Sequence, residues 1–273
     1  MNIVASFRIV GIAYSIQNSM IRNCSIKNST IKGQSEIGGM FCELNEGSSI
    51  INCSSDIDII STSRCGGLAS FCYDNITIKN CYSKGKIKGN TYIGGLIGFN
   101  CRTTSVIKNC YSIVKIEGSG NTSGFVTNYG TGKFKEISNC FWDIEVSGCS
   151  NSDQGIGKTT KEMKTPSTFV DWDKEKFEDS TSVWVLQNGQ YPKLWFEKDP
   201  ELFLLKQDNK YYSLSIDNYN HELNHYNELE SVTFDKEYFK KYGITDFSIF
   251  NQIINDTKGN FKPIDKFGEI QVN

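Results

Sequence analysis

Residues 76–112 read ITIKNCYSKGKIKGNTYIGGLIGFNCRTTSVIKNCYS, one complete unit and the opening of its next copy. An I-x-N-C pattern recurs at Ile21–Cys24, Ile50–Cys53, Ile78–Cys81, Ile107–Cys110 and Ile137–Cys140. Its cysteines step by 29, 28, 29 and 30 residues. A second mark follows in each copy: Gly38-Gly39, Gly66-Gly67, Gly94-Gly95, then Ser123-Gly124. Between the two marks stands an isoleucine, at Ile31, Ile59, Ile87 and Ile116. Self-similarity at a fixed period of about 20 to 50 residues is the signature of stacked repeats.

Each unit carries three extended segments, IKNCYS, KIKG and YIGGLIGFN, separated by Gly, Ser, Asn and Thr. They are rich in Ile, Tyr and Phe, which is strand and turn chemistry, and none has a helical period. The expected fold is all-β: a parallel β-helix with coils of about 28–29 residues, right-handed by the strong preference of parallel crossovers.

The side-chain pattern predicts the register. Ile78 and Cys81 are three apart, so an unbroken strand would turn them to opposite faces. Both recur in every copy, which calls for a bend at Asn80 that lets both face inward. Asn tolerates the left-handed conformation such a bend requires. The expectation is an Asn column (Asn23, Asn52, Asn80, Asn109, Asn139) at one corner, its amides hydrogen-bonded up the stack. The glycine pairs mark a second place where no side chain fits. Met40, Leu68, Leu96 and Phe125 form a further inward column, with Phe71 and Phe99 assigned to the same side. Tyr82 and Tyr111 follow inward cysteines and so point outward, with Phe141 next in line. They are the candidate binding residues, since rings on a flat face can stack on sugars; the plainer reading is a column of rings packed on one another.

Five of the ten cysteines are one repeat position. Stacked positions lie about 4.8 Å apart, but parallel side chains rarely reach disulfide geometry. A column of buried free thiols is expected. No CxxC pair suggests zinc.

The 29 basic and 31 acidic residues give a net charge of −2. No basic block stands in the sequence, which argues against a nucleic-acid partner. No apolar run reaches the roughly 18 residues of a membrane span, and the N-terminal stretch, interrupted by Arg8, is a poor signal peptide. Residues 1–20 look like a degraded repeat whose Gly11-Ile12 matches Gly39-Met40. An upstream chain, a partner or another copy is expected to cover the first coil's edge, as sheet edges usually are.

The solenoid is assigned to residues 1–140. Residues 141–198 hold all four tryptophans, Trp142, Trp172, Trp184 and Trp195, and are expected to cap the solenoid's end, as repeat arrays need. Within them Thr159 and Glu162 predict a capping box, and Pro166 the end of a short helix. GIGKTT there falls short of a phosphate loop, since Ser152 stands where its first glycine belongs. Residues 199–273 lose the repeat and read as a small α+β module: strand, Asp-Asn turn and strand over LFLLKQDNKYYSLSI, short helices at Thr233–Tyr242 and Asp246–Ile254, then strand over 259–272.

GGLIGFN paired with I-x-NCYS-x-G-x-I-x-G resembles the GLUG repeat, a family of bacterial surface adhesins, some secreted peptidases and phage-encoded proteins. The resemblance covers residues 4–143. FWD, GKTT-x-EM and the YP-x-L end resemble the segment that closes such arrays. Units one and two depart from the pattern: Glu43-Leu44 and Ser70-Phe71 replace Gly-aromatic, and Ser54 replaces tyrosine. The C-terminal module is similar to modules on clostridial prophage and tail-associated proteins. The resemblance implies β-solenoid stalks and carries over no catalytic residue.

His221-Glu222-Leu223-Asn224-His225 spells H-E-x-x-H. On a helix the two histidines would share a zinc ion while Glu222 activates water. Its polar flanks, DNYNHELNHYNE, favour a loop instead. Asp56/Asp58 and Asp143/Glu145 are carboxylate pairs of the kind a polysaccharide lyase or hydrolase needs. The expected function is therefore structural and adhesive, with no cofactor: a phage-tail or bacterial-surface component, on the virion or outside the cell, that recognises a cell-surface glycan or protein, with a homo-oligomer as one option. The alternative is an enzyme, through His221 and His225 or through the acidic pairs.

Overall fold

The computed structural model describes residues 10–100, 104–129, 132–172 and 182–197 in full, and the backbone of strands at 2–4, 201–207, 210–216, 223–229 and 262–263. The chain divides into two compact units, Met1–Leu194 and Trp195–Asn273.

The first unit is a β-solenoid whose coils each contribute one strand to four parallel sheets. In the coil that starts at Thr77, the strands are Thr77–Lys79, Tyr82–Lys88, Thr91–Gly94 and Ile97–Asn100. We call the sheets, in that order, the isoleucine, long, short and fourth sheets. Register is strict: Ile50 pairs with Ile78 and Ile78 with Ile107. YIGGLIGFN, expected to be one extended segment, is two strands, because the chain turns at Gly94-Gly95 and enters a different sheet.

Both expected corners exist, for different reasons. Asn23, Asn52, Asn80, Asn109 and Asn139 all have φ between 51° and 58°. Left-handed backbone costs most residues about 1–2 kcal/mol. Here the amides offset it: Asn52 Nδ2 donates to Asn23 Oδ1 at 3.1 Å, and Asn80 Nδ2 donates to Asn52 Oδ1 at 3.0 Å. The bend lets Ile78 and Cys81 both lie at 0% exposure in the same core. At the glycine pairs the obstacle is backbone. A Cβ on Gly67 would strike the Gly95 carbonyl, and one on Gly95 the Gly124 carbonyl. Across the coil, Ser55 Oγ donates to the Gly67 carbonyl and Ser83 Oγ to that of Gly95, each at 2.6 Å.

This Gly–Ser pinch divides the interior into two apolar lobes. The larger holds Met40, Leu68, Leu96 and Phe125 with the Ile50–Ile78–Ile107 and cysteine columns. The smaller packs Ile31, Ile59 and Ile87 of the long sheet against Ile37, Cys65 and Ile93 of the short sheet. Phe71 and Phe99 belong to neither lobe. They form a separate cluster with Cys42, Tyr73 and Tyr92, which corrects their assignment to the inward side. Phe71 and Phe99 stand three residues after the inward Leu68 and Leu96, and residues three apart alternate to opposite faces.

The repeat cysteines described are free. They are more than apolar filler. Cys81 Sγ donates to the Lys79 carbonyl at 3.2 Å and accepts from the Cys53 backbone N–H at 3.4 Å. Cys110 repeats the arrangement one coil on, accepting from the Cys81 N–H at 3.3 Å. Burial pushes the Cys81 and Cys110 thiols well above their usual range, so they are poor nucleophiles.

At the N-terminal end, Gly11 and Ile12 donate to the carbonyls of Gly39 and Met40, the period-shifted match expected of them. Ile12, Tyr14 and Met20 are exposed there. At the other end the sheets are finished by the chain itself. Phe141–Asp143 and Ile156–Lys158 add two strands to the long sheet. Ser152 Oγ accepts from the Phe125 and Val126 N–H groups, and Asp153 Oδ2 from that of Asn128, along the last strand of the fourth sheet. The capping box forms as expected: Thr159 N–H donates to Glu162 and the Glu162 N–H to Thr159 Oγ1, opening the helix Thr160–Met163.

The second unit carries an antiparallel four-stranded sheet in the order Leu223–Leu229, Lys210–Ile216, Glu201–Gln207, Lys262–Pro263. The two strands read in LFLLKQDNKYYSLSI agree with it, and the Asp-Asn turn between them lies outside the described residues. The helices expected at Thr233–Tyr242 and Asp246–Ile254 lie outside the described residues.

Candidate binding faces

The aromatic column forms as expected, then disappears from view. Tyr82 and Tyr111 follow the Asn corner on the long sheet and stack with ring centroids 4.7 Å apart and planes 9° apart. Phe141 stands in register with Tyr111 on the next strand. However, residues 164–172 and 182–194 form a strap over these rings along the side of the solenoid. Trp172 and Trp184 pack 4.5 Å apart, and Trp172 lies 6.1 Å from Tyr111 and 6.2 Å from Phe141. The Tyr111 hydroxyl donates to the Pro192 carbonyl, and Trp184 Nε1 donates to Asn80 Oδ1 at 3.3 Å. Tyr111 is 1% exposed and Phe141 7%. Tyr111 and Phe141 therefore point outward but are occupied by the chain's own indoles, and only Tyr82 stays half-buried. In the first two coils the column is Ser25 and Ser54, and Ser54 Oγ donates to Ser25 Oγ at 2.9 Å.

Asp143 anchors the strap. Fully buried, it caps a short helix by accepting from the Glu145 and Val146 N–H groups at 2.9 Å. It also accepts from Thr160 Oγ1 at 2.8 Å and from the Tyr191 hydroxyl at 2.7 Å. Burial, then the Asp143 contact, pushes the Tyr191 hydroxyl above its usual range. Glu145 accepts from the Thr160 N–H. This acidic pair is thus engaged in folding the strap. In the other pair, Asp56 is bound to Lys84 at 2.9 Å.

A second aromatic stripe has Phe71 and Phe99 buried at its centre and reaches solvent at Tyr129. Phe71 and Phe99 lie 5.1 Å apart, Phe99 and Tyr129 4.8 Å, and Tyr92 meets the edge of Phe99 at 5.3 Å. Arg64, paired with Glu36 at 3.0 Å, lies over Phe99 at 5.6 Å. Tyr129 is 53% exposed. Glu36, Arg64 and Tyr92 sit at φ 63°, 54° and 54°. They form a second left-handed corner that turns these side chains toward the stripe, one that nothing in their residue types announces.

His225 lies on the strand Leu223–Leu229, opposite Ser215. It is on neither the helix that a shared metal would need nor the loop expected from the flanks. His221 and Glu222 lie outside the described residues. Among the described residues no group of His, Cys, Asp and Glu is placed to hold a metal ion, and no helix is long and apolar enough to cross a membrane. A cleft of about 280 Å³ opens beside the last isoleucine-sheet strand, between Ile137, Gln154 and Ile156. Gln154 already satisfies the Phe134 N–H there.

No family model matches this chain, and no curated protein or solved structure does either.

Proposed function

We propose that this chain is a structural and adhesive solenoid, a component of a phage tail or of a bacterial surface, that recognises a cell-surface glycan or protein. The observation that carries the reading is the stripe of Phe71, Phe99, Tyr92 and Tyr129, open to solvent at Tyr129. Strict register presents these rings on a rigid frame, so a ligand would order few groups on binding. The resemblance of the repeats to GLUG adhesins supports the setting. The test is retention of the fluorescently labelled chain on a panel of intact bacteria. Wild type is expected to bind at least one surface, and Tyr92→Ser with Tyr129→Ser to lose about tenfold in affinity, the value of roughly 1.4 kcal/mol from ring contacts. Absence of binding across the panel, or indifference to both substitutions, counts against the stripe.

A further inference from the structure

The C-terminal cap passes over one strand position. In four successive coils the chain runs 13, 13, 14 and 15 residues from a fourth-sheet residue to its long-sheet counterpart: Phe41 to Ser54, Ala69 to Tyr82, Ile97 to Tyr111 and Val126 to Phe141. That length carries an isoleucine-sheet strand and its Asn corner. In the last turn Gln154 bridges Val126 and Ile156 pairs with Phe141. Gly155 alone replaces the whole passage, lying against the Phe125 ring. The long sheet consequently ends one strand beyond the isoleucine sheet, at Ile156–Lys158 against Glu136–Ser138. The cleft of about 280 Å³ stands where a sixth isoleucine-sheet strand belongs, lined by Phe134, Ile137, Asn139, Cys140 and Ile156.

The vacant level keeps the features of a strand site. In the coils below, the Asn80 N–H donates to the Lys108 carbonyl one strand on, and the Asn109 N–H to that of Ser138, each at 3.1 Å. The Cys53 and Cys81 N–H groups donate to thiols one coil on, at 3.4 and 3.3 Å. By the same register Asn139 and Cys140 direct their N–H groups at the vacant level. Among the described residues no strand pairs beyond Glu136–Ser138. Ile50, Ile78 and Ile107 are at 0% exposure, whereas Ile137 is half-buried and Ile156 is 55% exposed.

We infer that this vacancy is a docking site for one extended peptide segment of a partner protein, which adds in parallel as the sixth strand of the isoleucine sheet. In strand addition the main chain supplies affinity and the side-chain pockets supply specificity. The five strands present define the chemistry of the sixth. Met20–Arg22, Ser49–Ile51, Thr77–Lys79, Val106–Lys108 and Glu136–Ser138 all centre on isoleucine, while their flanking residues vary. Each is followed by the left-handed Asn. The segment therefore reads x-Ile-x-Asn. Its isoleucine seats on Ile137, and its Asn amide donates to Asn139 as that of Asn52 does to Asn23. End-to-end stacking of a second copy fits less well. The long sheet also overhangs at the other end, where Asn2–Val4 lies one strand beyond the level of Met20–Arg22, so the two isoleucine edges are recessed and cannot meet. The site is separate from the aromatic stripe and independent of the adhesive reading.

The test uses the full chain and a fluorescently labelled peptide of its own residues 104–110, TSVIKNC, under reducing conditions, with fluorescence anisotropy as the readout. Saturable binding is expected below about 1 mM. The same peptide with Ile107→Lys is expected to bind at least about tenfold more weakly, because it loses the burial of one isoleucine. Chain Ile156→Arg, at an exposed position on the wall of the cleft, is expected to weaken binding similarly while melting as wild type does. N-methylation separates strand pairing from apolar contact. The Val106 N–H donates to the strand below it at 2.8 Å, so methylating that nitrogen in the peptide should abolish binding. The Ile107 N–H faces the other way along the strand, so methylating it should not. Absence of saturable binding, indifference to Ile156→Arg, or equal effects of the two methylations overturns the inference. If the chain self-associates and the peptide disperses it, the occupant is a second copy and the assignment to a partner protein falls.

Discussion

The Gly–Ser pinch and the Asn–Cys corner hold the same coils in shape by opposite means. At the pinch the chain needs absence: Gly67 and Gly95 face backbone carbonyls of the next coil, and no atom fits between. At the corner it needs presence: Asn80 must donate to Asn52 and accept from Trp184, and Cys81 must accept from Cys53. The first constraint is steric and set by backbone, so it hardly relaxes. The second is a set of hydrogen bonds, each worth about 1 kcal/mol net, so it can be dismantled in steps.

The largest effect should come from the pinch. Gly95→Ala places a Cβ against the Gly124 carbonyl and Ser112 Oγ. We expect a loss of about 3 kcal/mol or more, the upper range for overpacking, seen as a melting temperature lower by roughly 10 °C. Adding Ser112→Gly should recover only part, because the carbonyl stays. Full recovery would mean the obstacle is the serine alone, and the contrast with the corner would collapse.

Asn80 gives the intermediate effect and divides it. Asn80→Ala loses the amide ladder and leaves a non-glycine residue at φ 53°; a cost of about 2–3 kcal/mol is expected. Asn80→Gly loses the same bonds but accepts the left-handed backbone, so about half of that cost should remain. Chemical denaturation of both variants measures the split. Equal losses would assign the corner to side-chain bonding alone.

The two regions were also unequally legible. Asn and Cys recur in every copy with a spacing that only a bend reconciles, so the corner followed from strand parity. The glycine pairs announced an exclusion, but not the serines opposite or the turn that splits one extended segment into two strands. The second left-handed corner gave no sign, because Glu36, Arg64 and Tyr92 are residues that seldom adopt it. The strap was readable as aromatic, but a Trp-rich tail says that rings will be buried, not which rings.

The smallest effect should come from Cys81, and it decides what the thiol column does. If Cys81 were only a small apolar filler, alanine would be the gentler replacement, since serine adds a hydroxyl to a buried site at a cost. The geometry assigns it partners instead. Its sulfur accepts from the Cys53 N–H at 3.4 Å and donates to the Lys79 carbonyl at 3.2 Å. A serine hydroxyl has a donor and acceptors for the same two groups, whereas Cys81→Ala leaves a buried N–H without an acceptor, at about 1–3 kcal/mol. Serine also loses volume and polarisability relative to the thiol, so it should not match wild type. The expected order of stability is Cys, then Ser, then Ala, with Ser above Ala by about 1 kcal/mol in equilibrium unfolding. The reverse order would return the column to plain packing, and the corner would then owe its polarity to asparagine alone.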